Sequence, residues 1–462
     1  MGLDPPTLMT LSPMLHQLAK AASPRLVLTL RPQDPIPDWI THLMFLTKDC
    51  DIGEQGRKDE VIDNIYAYVK GTGNSAKNYG VPPQALYDVG RMLTSSGVLE
   101  PEEAQEQTHN ISANAQVDKK EAQLSRDGYE LHDKEEARIG EAIIEMAGVR
   151  VAYNGKTVLG NWQQDVDGES KNGLWWNIRR GERIGIFGPN GSGKTTILSL
   201  ICSDHPQTYS LPIKLFGRSR LPELGQPGVS IFDIQARIGH SSPEVQNFFP
   251  KRLTVRSTLE SAWADTFLSK PKLDEAAHSK VAAAIRWFEP ELRGSVGQSY
   301  GESLAWADDL MFGRMPFSAQ RVALFLRAII KNPDLVILDE AFSGMDDSVR
   351  DKCMLFLAHG EHKTFSYTTN DAASSETEIV QSKISKAGVV KVEGLQQQQA
   401  LLCISHVKEE IPGSVREWIC LPEANTGKPA RFGRLDGPIE GSSKRWNEIW
   451  GMGYAIVKGD LN

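Results

Sequence analysis

Residues Gly188-Pro189-Asn190-Gly191-Ser192-Gly193-Lys194-Thr195-Thr196 satisfy the pattern G-x-x-x-x-G-K-[ST]. Gly188, Gly191 and Gly193 let the backbone turn so that successive N–H groups point inward. Such a concavity binds phosphate oxygens, helped by the positive end of a following helix. In a loop of this kind Lys194 would hold the β- and γ-phosphates of a nucleoside triphosphate, and the Thr195 hydroxyl would ligate Mg²⁺. A second chemical unit is Leu335-Val336-Ile337-Leu338-Asp339-Glu340, an apolar run ending in two acids. Alone, such a run marks an exposed strand end. Downstream of a phosphate loop, Asp339 is placed to hold Mg²⁺ through water and Glu340 to polarise an attacking water. The expected chemistry is cleavage of a phosphoanhydride by water.

These residues need rigid supports. The apolar segment Arg183–Phe187 predicts a strand running into the phosphate loop, and Thr195–Cys202 predicts the helix leaving it. Leu335–Leu338 predicts a second strand and Gln320–Ile330 a second helix. Strands alternating with helices point to an α/β sheet.

With these motifs in place, residues 141–462 resemble the ABC-type ATPase family, which implies a P-loop NTPase fold with a helical subdomain, ATP as ligand and Mg²⁺ as cofactor. The resemblance makes Tyr153, in Val151-Ala152-Tyr153-Asn154-Gly155, the aromatic that stacks on adenine. It makes Ser343-Gly344-Met345-Asp346 the D-loop and His406, after the apolar Cys403-Ile404, the switch histidine that contacts the γ-phosphate. Two segments depart from the family pattern. The signature, normally L-S-x-G-x-Q-R, reads Met315-Pro316-Phe317-Ser318-Ala319-Gln320-Arg321: Pro316 lacks the serine hydroxyl, and Ser318 replaces the glycine that admits a phosphate of the opposing subunit. The Q-loop, expected within Ile238–Glu244, has Pro243 where glutamine is usual, leaving Glu244 or Gln246 as substitutes. Ser242-Pro243-Glu244 and Phe249-Pro250-Lys251-Arg252-Leu253-Thr254-Val255 narrow the resemblance to soluble tandem ABC ATPases of the molybdate-transport ATP-binding type and their fungal relatives.

The amino-terminal segment can be laid over the carboxyl-terminal one. Leu26–Arg31, Ile36-Pro37 and Leu43–Leu46 correspond to Leu401–His406, Ile411-Pro412 and Trp418–Leu421 at one common offset. Gly2-Leu3-Asp4 corresponds to Gly344-Met345-Asp346 at a shorter offset, the difference lying in a Ser/Thr/Asp-rich stretch at 359–400 that ends near Gln396–Gln399. Residues 1–66 are therefore expected to be the last third of a first ABC domain, entered at its D-loop, with Arg31 at the switch-histidine position. This makes the chain either a truncated piece of a tandem ATPase or a natural short form. Residues 67–140 are expected to be a linker, partly helical around 130–147, and 141–462 a complete ATPase domain. The 359–400 stretch is expected to be a mobile insertion, because its composition offers little apolar surface to bury.

The composition sets outer limits. The chain has 462 residues, 40% hydrophobic and 24% charged, with a net charge of -8. Residues 100–141 carry twelve acids against five bases, which accounts for nearly all of that charge. No apolar run is long enough to span a bilayer, and the acidic linker argues against nucleic acid as a partner. Five scattered cysteines without a C-x-x-C pair fit a reducing compartment. Asp4, Pro5 and Pro6 disfavour a secretory signal and myristoylation, so a cytoplasmic location is expected; the acid-poor stretch 15–31 keeps a mitochondrial address as the alternative. The expected activity is ATP hydrolysis at a head-to-tail interface with a second ABC domain, supplied by another copy or by a longer first domain, and coupled to a membrane permease. Two alternatives stand beside it: a non-transport ABC ATPase acting on ribosomes or nucleic acid, and a regulatory nucleotide binder that does not hydrolyse.

Overall fold

The computed structural model describes residues 5–21, 25–29, 39–46, 52–69, 140–294, 303–370, 374–440 and 442–451. The chain divides into two compact units, one made of Thr7–Lys119 with Phe365–Glu378, the other of Met1–Pro6, Lys120–Thr364 and Ile379–Asn462.

The larger unit is organised around a six-stranded sheet in the order Ile238–Ser241, Leu335–Asp339, Ala400–Ile404, Arg183–Phe187, Glu417–Cys420 and Arg431–Arg434. All neighbours are parallel except the last pair. Strands covered on both faces read as unbroken apolar runs, and Leu335, Val336, Ile337 and Leu338 are completely buried. On one side lies a helical group, including Val255–Glu260, Glu275–Trp287 and Phe317–Ile329, packed in a single apolar cluster with the sheet. On the other, a four-stranded antiparallel sheet (Arg218–Ser219, Ile213–Leu215, Ala142–Val149, Leu174–Arg179) closes a second cluster around the helix Lys194–Cys202. This is the α/β architecture with a helical subdomain that the sequence predicts.

Two expectations are overturned here. The predicted helix around 130–147 is a strand over its described part: Ala142–Val149 pairs with Leu174–Arg179 on one side and Ile213–Leu215 on the other. Its Glu/Ala-rich sequence favours a helix locally, but burial of Ile143, Ile144, Met146 and Val149 between two partner strands outweighs that preference. The stretch 359–400 is not a mobile insertion over its described length. Lys363–Asn370 and Ser374–Gln381 form a hairpin, and the chain after it is fastened by polar contacts. The buried Glu361 carboxylate accepts from the backbone N–H groups of Lys391 (2.7 Å) and Val392 (2.9 Å). Gln399 donates to the Pro333 carbonyl at 2.7 Å. Composition misled because a few packed apolar side chains, the buried Val392 and half-buried Leu395 among them, together with these hydrogen bonds are enough to hold this segment.

The smaller unit contains the helix Pro5–Lys20 from Thr7 onward, an antiparallel hairpin of His42–Leu46 with Ile52–Arg57, and the helix Lys58–Val69, whose Val61 and Ile62 are buried. Residues 25–29 carry no regular structure. Arg31, Ile36-Pro37 and residues 70–139 of the expected linker lie outside the described residues.

Candidate functional site: three strand ends around a phosphate loop

Strand order brings the motifs together. The strand Arg183–Phe187 delivers the phosphate loop, its neighbour Ala400–Ile404 delivers Ser405-His406, and the next strand delivers Asp339-Glu340. Three carboxyl ends of adjacent parallel strands thus converge, which is where open α/β sheets bind ligands.

The loop is shaped by backbone. Gly188 has φ +141°, and a Cβ there would lie 2.7 Å from Ser192 Oγ and 2.8 Å from the Leu421 carbonyl oxygen, so no side chain fits. Gly193 caps the helix Lys194–Cys202 at φ +97°. Lys194 donates to the Gly188 and Pro189 carbonyls at 2.7 and 3.0 Å. The Ser192 hydroxyl is buried without a hydrogen-bond partner. A buried hydroxyl without a partner beside a lysine resting on loop carbonyls is a donor set that fits phosphate oxygens. Asn190, Gly191 and Thr195 are exposed on the loop and first turn, Thr196 half-buried. The far end of this helix is also fixed: Arg220 donates to the Leu200 carbonyl, and to Ser203 Oγ at 2.9 Å.

Across the cleft, burial and the adjacent Glu340 push the Asp339 carboxyl up to about 7, against the opposing pull of Lys194 and Arg321. These two adjacent acids, within reach of the Lys194 charge, form a donor set suited to Mg²⁺, since a divalent cation would favour the ionised form of Asp339. Glu340 is held at φ +44°, its N–H bonded to the Ile404 carbonyl at 2.9 Å. His406 Nε2 approaches Glu340 Oε1 to 3.7 Å. Beneath both acids lies Arg321, 4% exposed, with Nε and Nη1 lacking hydrogen-bond partners. Burial lowers its pKa, while Glu340, Asp339 and Glu410 favour its charged form. Sequence reasoning had placed Arg321 only as the last signature residue; its burial under the acids has no local signal.

The Q-loop alternatives separate. Glu244 is exposed, and its charge contributes to the rise at Asp339. Gln246 is buried and donates to Gln320 Oε1 at 3.1 Å, while Gln320 donates to the Met315 carbonyl at 3.0 Å. The structure therefore brings Gln246 and Gln320 together and leaves Glu244 on the acid side. The signature helix Phe317–Ile329 begins after Pro316 with no side-chain cap; Ser318 is half-buried in its first turn and Phe317 is 53% exposed. Gly344 of the D-loop segment has φ +77° and lies against Phe317: a Cβ there would come within 2.7 Å of the ring.

Tyr153 ends the strand Val151–Tyr153, just before an Asn154-Gly155 turn with both φ values positive, the type expected of that dipeptide in a tight hairpin. Its ring is 46% exposed and its hydroxyl is hydrogen-bonded to His205 Nε2, a partner not read from the sequence.

This fold and loop define a P-loop α/β domain. Residues 172–291 match the family model described as "ABC transporter". An uncharacterised ABC transporter ATP-binding protein of Schizosaccharomyces pombe is 31% identical over 414 residues, spanning 90% of this chain and 61% of its own length. An uncharacterised ABC transporter ATP-binding protein of Saccharomyces cerevisiae is 26% identical, spanning 77% and 58%. The ABC transporter ATP-binding protein ModF of Escherichia coli is 28% identical, spanning 75% and 55%. The chain thus carries an ABC transporter nucleotide-binding domain, and its relatives are ABC transporter ATP-binding proteins. It spans about three fifths of the length of these relatives. Among the described residues, no helix is long and apolar enough to cross a membrane.

Proposed function

We propose that residues 141–462 bind ATP with Mg²⁺ and hydrolyse it to ADP and phosphate when paired head to tail with a second ABC domain. The observation that carries this reading is the convergence of Lys194, Asp339-Glu340 and His406 at three adjacent strand ends. Backbone N–H groups of Gly188–Thr195, the Ser192 hydroxyl and Lys194 hold the phosphates. Thr195 and Asp339 hold Mg²⁺, which when bound offsets charge on the β- and γ-phosphates. Glu340 orients and polarises the attacking water, and His406 Nε2, on the same side of the cleft, faces the γ-phosphate. Tyr153 stacks on the base. Ser318 and Gln320 face the nucleotide of the partner domain, with Gln246 relaying the state of the acid side to that helix; Glu244 stands by the metal.

The domain most readily acts as the energy-supplying partner of a separate membrane permease, in line with relatives named as ABC transporter ATP-binding proteins. Residues 1–66 read as the carboxyl-terminal part of another ABC domain. In support, the helix Pro5–Lys20 follows Gly2-Leu3-Asp4 as Asp347–His359 follows Gly344-Met345-Asp346. The strand His42–Leu46, its antiparallel partner Ile52–Arg57 and the helix Lys58–Val69 then repeat the order Glu417–Cys420, Arg431–Arg434 and Ser443–Trp450.

Glu340→Gln tests the mechanism: ATP stays bound, and turnover falls by about 100-fold or more, as for loss of a group acting on the nucleophile. Undiminished turnover in that variant would sink the assignment. A second reading, a binder without hydrolysis, is favoured by Pro316 and Ser318 at the signature. It predicts that the unmutated chain holds ATP without turnover even when a second ABC domain is supplied.

A further inference from the structure

The ring assigned to the base is not left to find its own orientation. The helix that starts at Lys194 ends at Cys202, where Ser203 takes a left-handed cap conformation. The N–H groups of Asp204 and His205 fold back onto the Ser199 carbonyl at 2.9 and 3.3 Å. This places His205, 5% exposed, at the start of the short turn Pro206–Ser210. Its Nδ1 accepts from the Gln207 N–H at 3.1 Å. That bond requires a lone pair on Nδ1, so the neutral ring carries its hydrogen on Nε2, which donates to Tyr153 Oη. The two rings stand 5.5 Å apart and tilted by 60°. Gln207 adds a second tie, its side-chain amide donating to the Ala152 carbonyl at 2.8 Å. One short turn therefore grips the end of the Tyr153 strand through a side chain and through the backbone.

We propose that His205 is a positioning residue for nucleotide binding, a latch that fixes the Tyr153 ring relative to the phosphate-loop helix before ligand arrives. The inference rests on the assignment of Tyr153 to the base. A half-exposed tyrosine without a hydroxyl partner samples several rotamers and must be ordered on binding. Here that ordering is built into the free protein. The reference body for the ring is the helix that carries Lys194 together with the turn that follows it, so the spacing between base and phosphate subsites is tied to that helix.

The test is equilibrium binding of the full chain to MgATP and, separately, to inorganic tripolyphosphate, which occupies a phosphate loop without a base. His205→Ala and Tyr153→Phe each remove the latch and are expected to weaken ATP by about 3- to 10-fold, the worth of one hydrogen bond, while tripolyphosphate binding stays unchanged. The double variant is expected to be no weaker than either single one. His205→Asn keeps an acceptor for the Gln207 N–H but is too short to reach Tyr153, and should behave as His205→Ala. Equal weakening of ATP and tripolyphosphate would mean a merely structural helix end and would overturn the proposal, as would unaltered ATP affinity in His205→Ala. Tyr153→Ala separates the two levels. Unchanged ATP affinity there overturns the base assignment and the latch together, whereas weakened affinity there, with His205→Ala unaffected, overturns the latch alone.

Discussion

The phosphate loop and the signature segment are both loop-to-helix junctions of one domain, and they are built by opposite means. At Gly188–Lys194 the geometry belongs to the backbone: positive φ angles and a carbonyl close enough to exclude any side chain. At Met315–Arg321 it belongs to side chains: Gln320 bonded to Met315, Gln246 bonded to Gln320, and Arg321 buried beneath the acids. A backbone-built site has few acceptable sequences, because only glycine meets its dihedral and steric demands. A side-chain-built site can be reached from several sequences. That difference leaves Gly188–Lys194 few sequence alternatives and Met315–Arg321 more.

The contrast can be broken most severely at Gly188. Gly188→Val should weaken ATP binding by about 100-fold or more, since its Cβ would collide with the Leu421 backbone as well as with Ser192; titration with MgATP measures it, and near-normal affinity would show that the loop relaxes easily. At the other junction Gln246→Ala cuts the tie to Gln320 and should lower turnover by about 3- to 10-fold with ATP affinity unchanged. Steady-state kinetics separates the two effects, and a loss of affinity instead would place Gln246 in the nucleotide site itself. Ser318→Ala should change turnover by less than about twofold if side chains elsewhere carry this junction.

A separate effect, on stability rather than turnover, is a pH dependence at the strand Ile238–Ser241. His240 lies on Ile238–Ser241, with Nδ1 3.7 Å from Cys202 Sγ at the end of the phosphate-loop helix. Burial, aided by Arg327, holds its pKa down to about 4, against 6.5 for an unperturbed ring. Between those values the unfolded chain binds the extra proton, so stability rises with pH across the window and is lost as pH falls from about 6.5 to 4, by up to about 2–3 kcal/mol. Denaturant unfolding at pH 7 and pH 5 should show the loss, and His240→Gln should flatten it.

The legible and illegible parts of the molecule follow the same division. The phosphate loop, the acidic strand and the parallel sheet could be read directly, because glycine spacing and apolar runs are local signals tied to backbone geometry. What could not be read were long-range side-chain partnerships. His205 is 52 residues from Tyr153 and Gln246 is 74 from Gln320, and neither pair leaves a pattern in a window of sequence. The strand Ala142–Val149 was misjudged for the same reason, since its two partner strands decide its conformation. The Gln396–Gln399 segment was misjudged because polar residues that look solvated can be the fasteners of a loop.

Arg220 has a consequence for how this corner of the domain can change over time. Its guanidinium closes the carbonyl end of the phosphate-loop helix by bonding to main-chain oxygen at Leu200, and burial lowers its pKa only to about 10, so it remains a cation. Apart from its bond to the Ser203 hydroxyl at the cap, this clamp holds main-chain oxygen and is indifferent to which side chains the last helical turn displays. Outward-facing residues there are free to drift, while position 220 is not: lysine would replace a planar fork with a single point contact. The rigidity of the nucleotide-binding helix is thus stored in a residue outside it, 26 positions after Lys194.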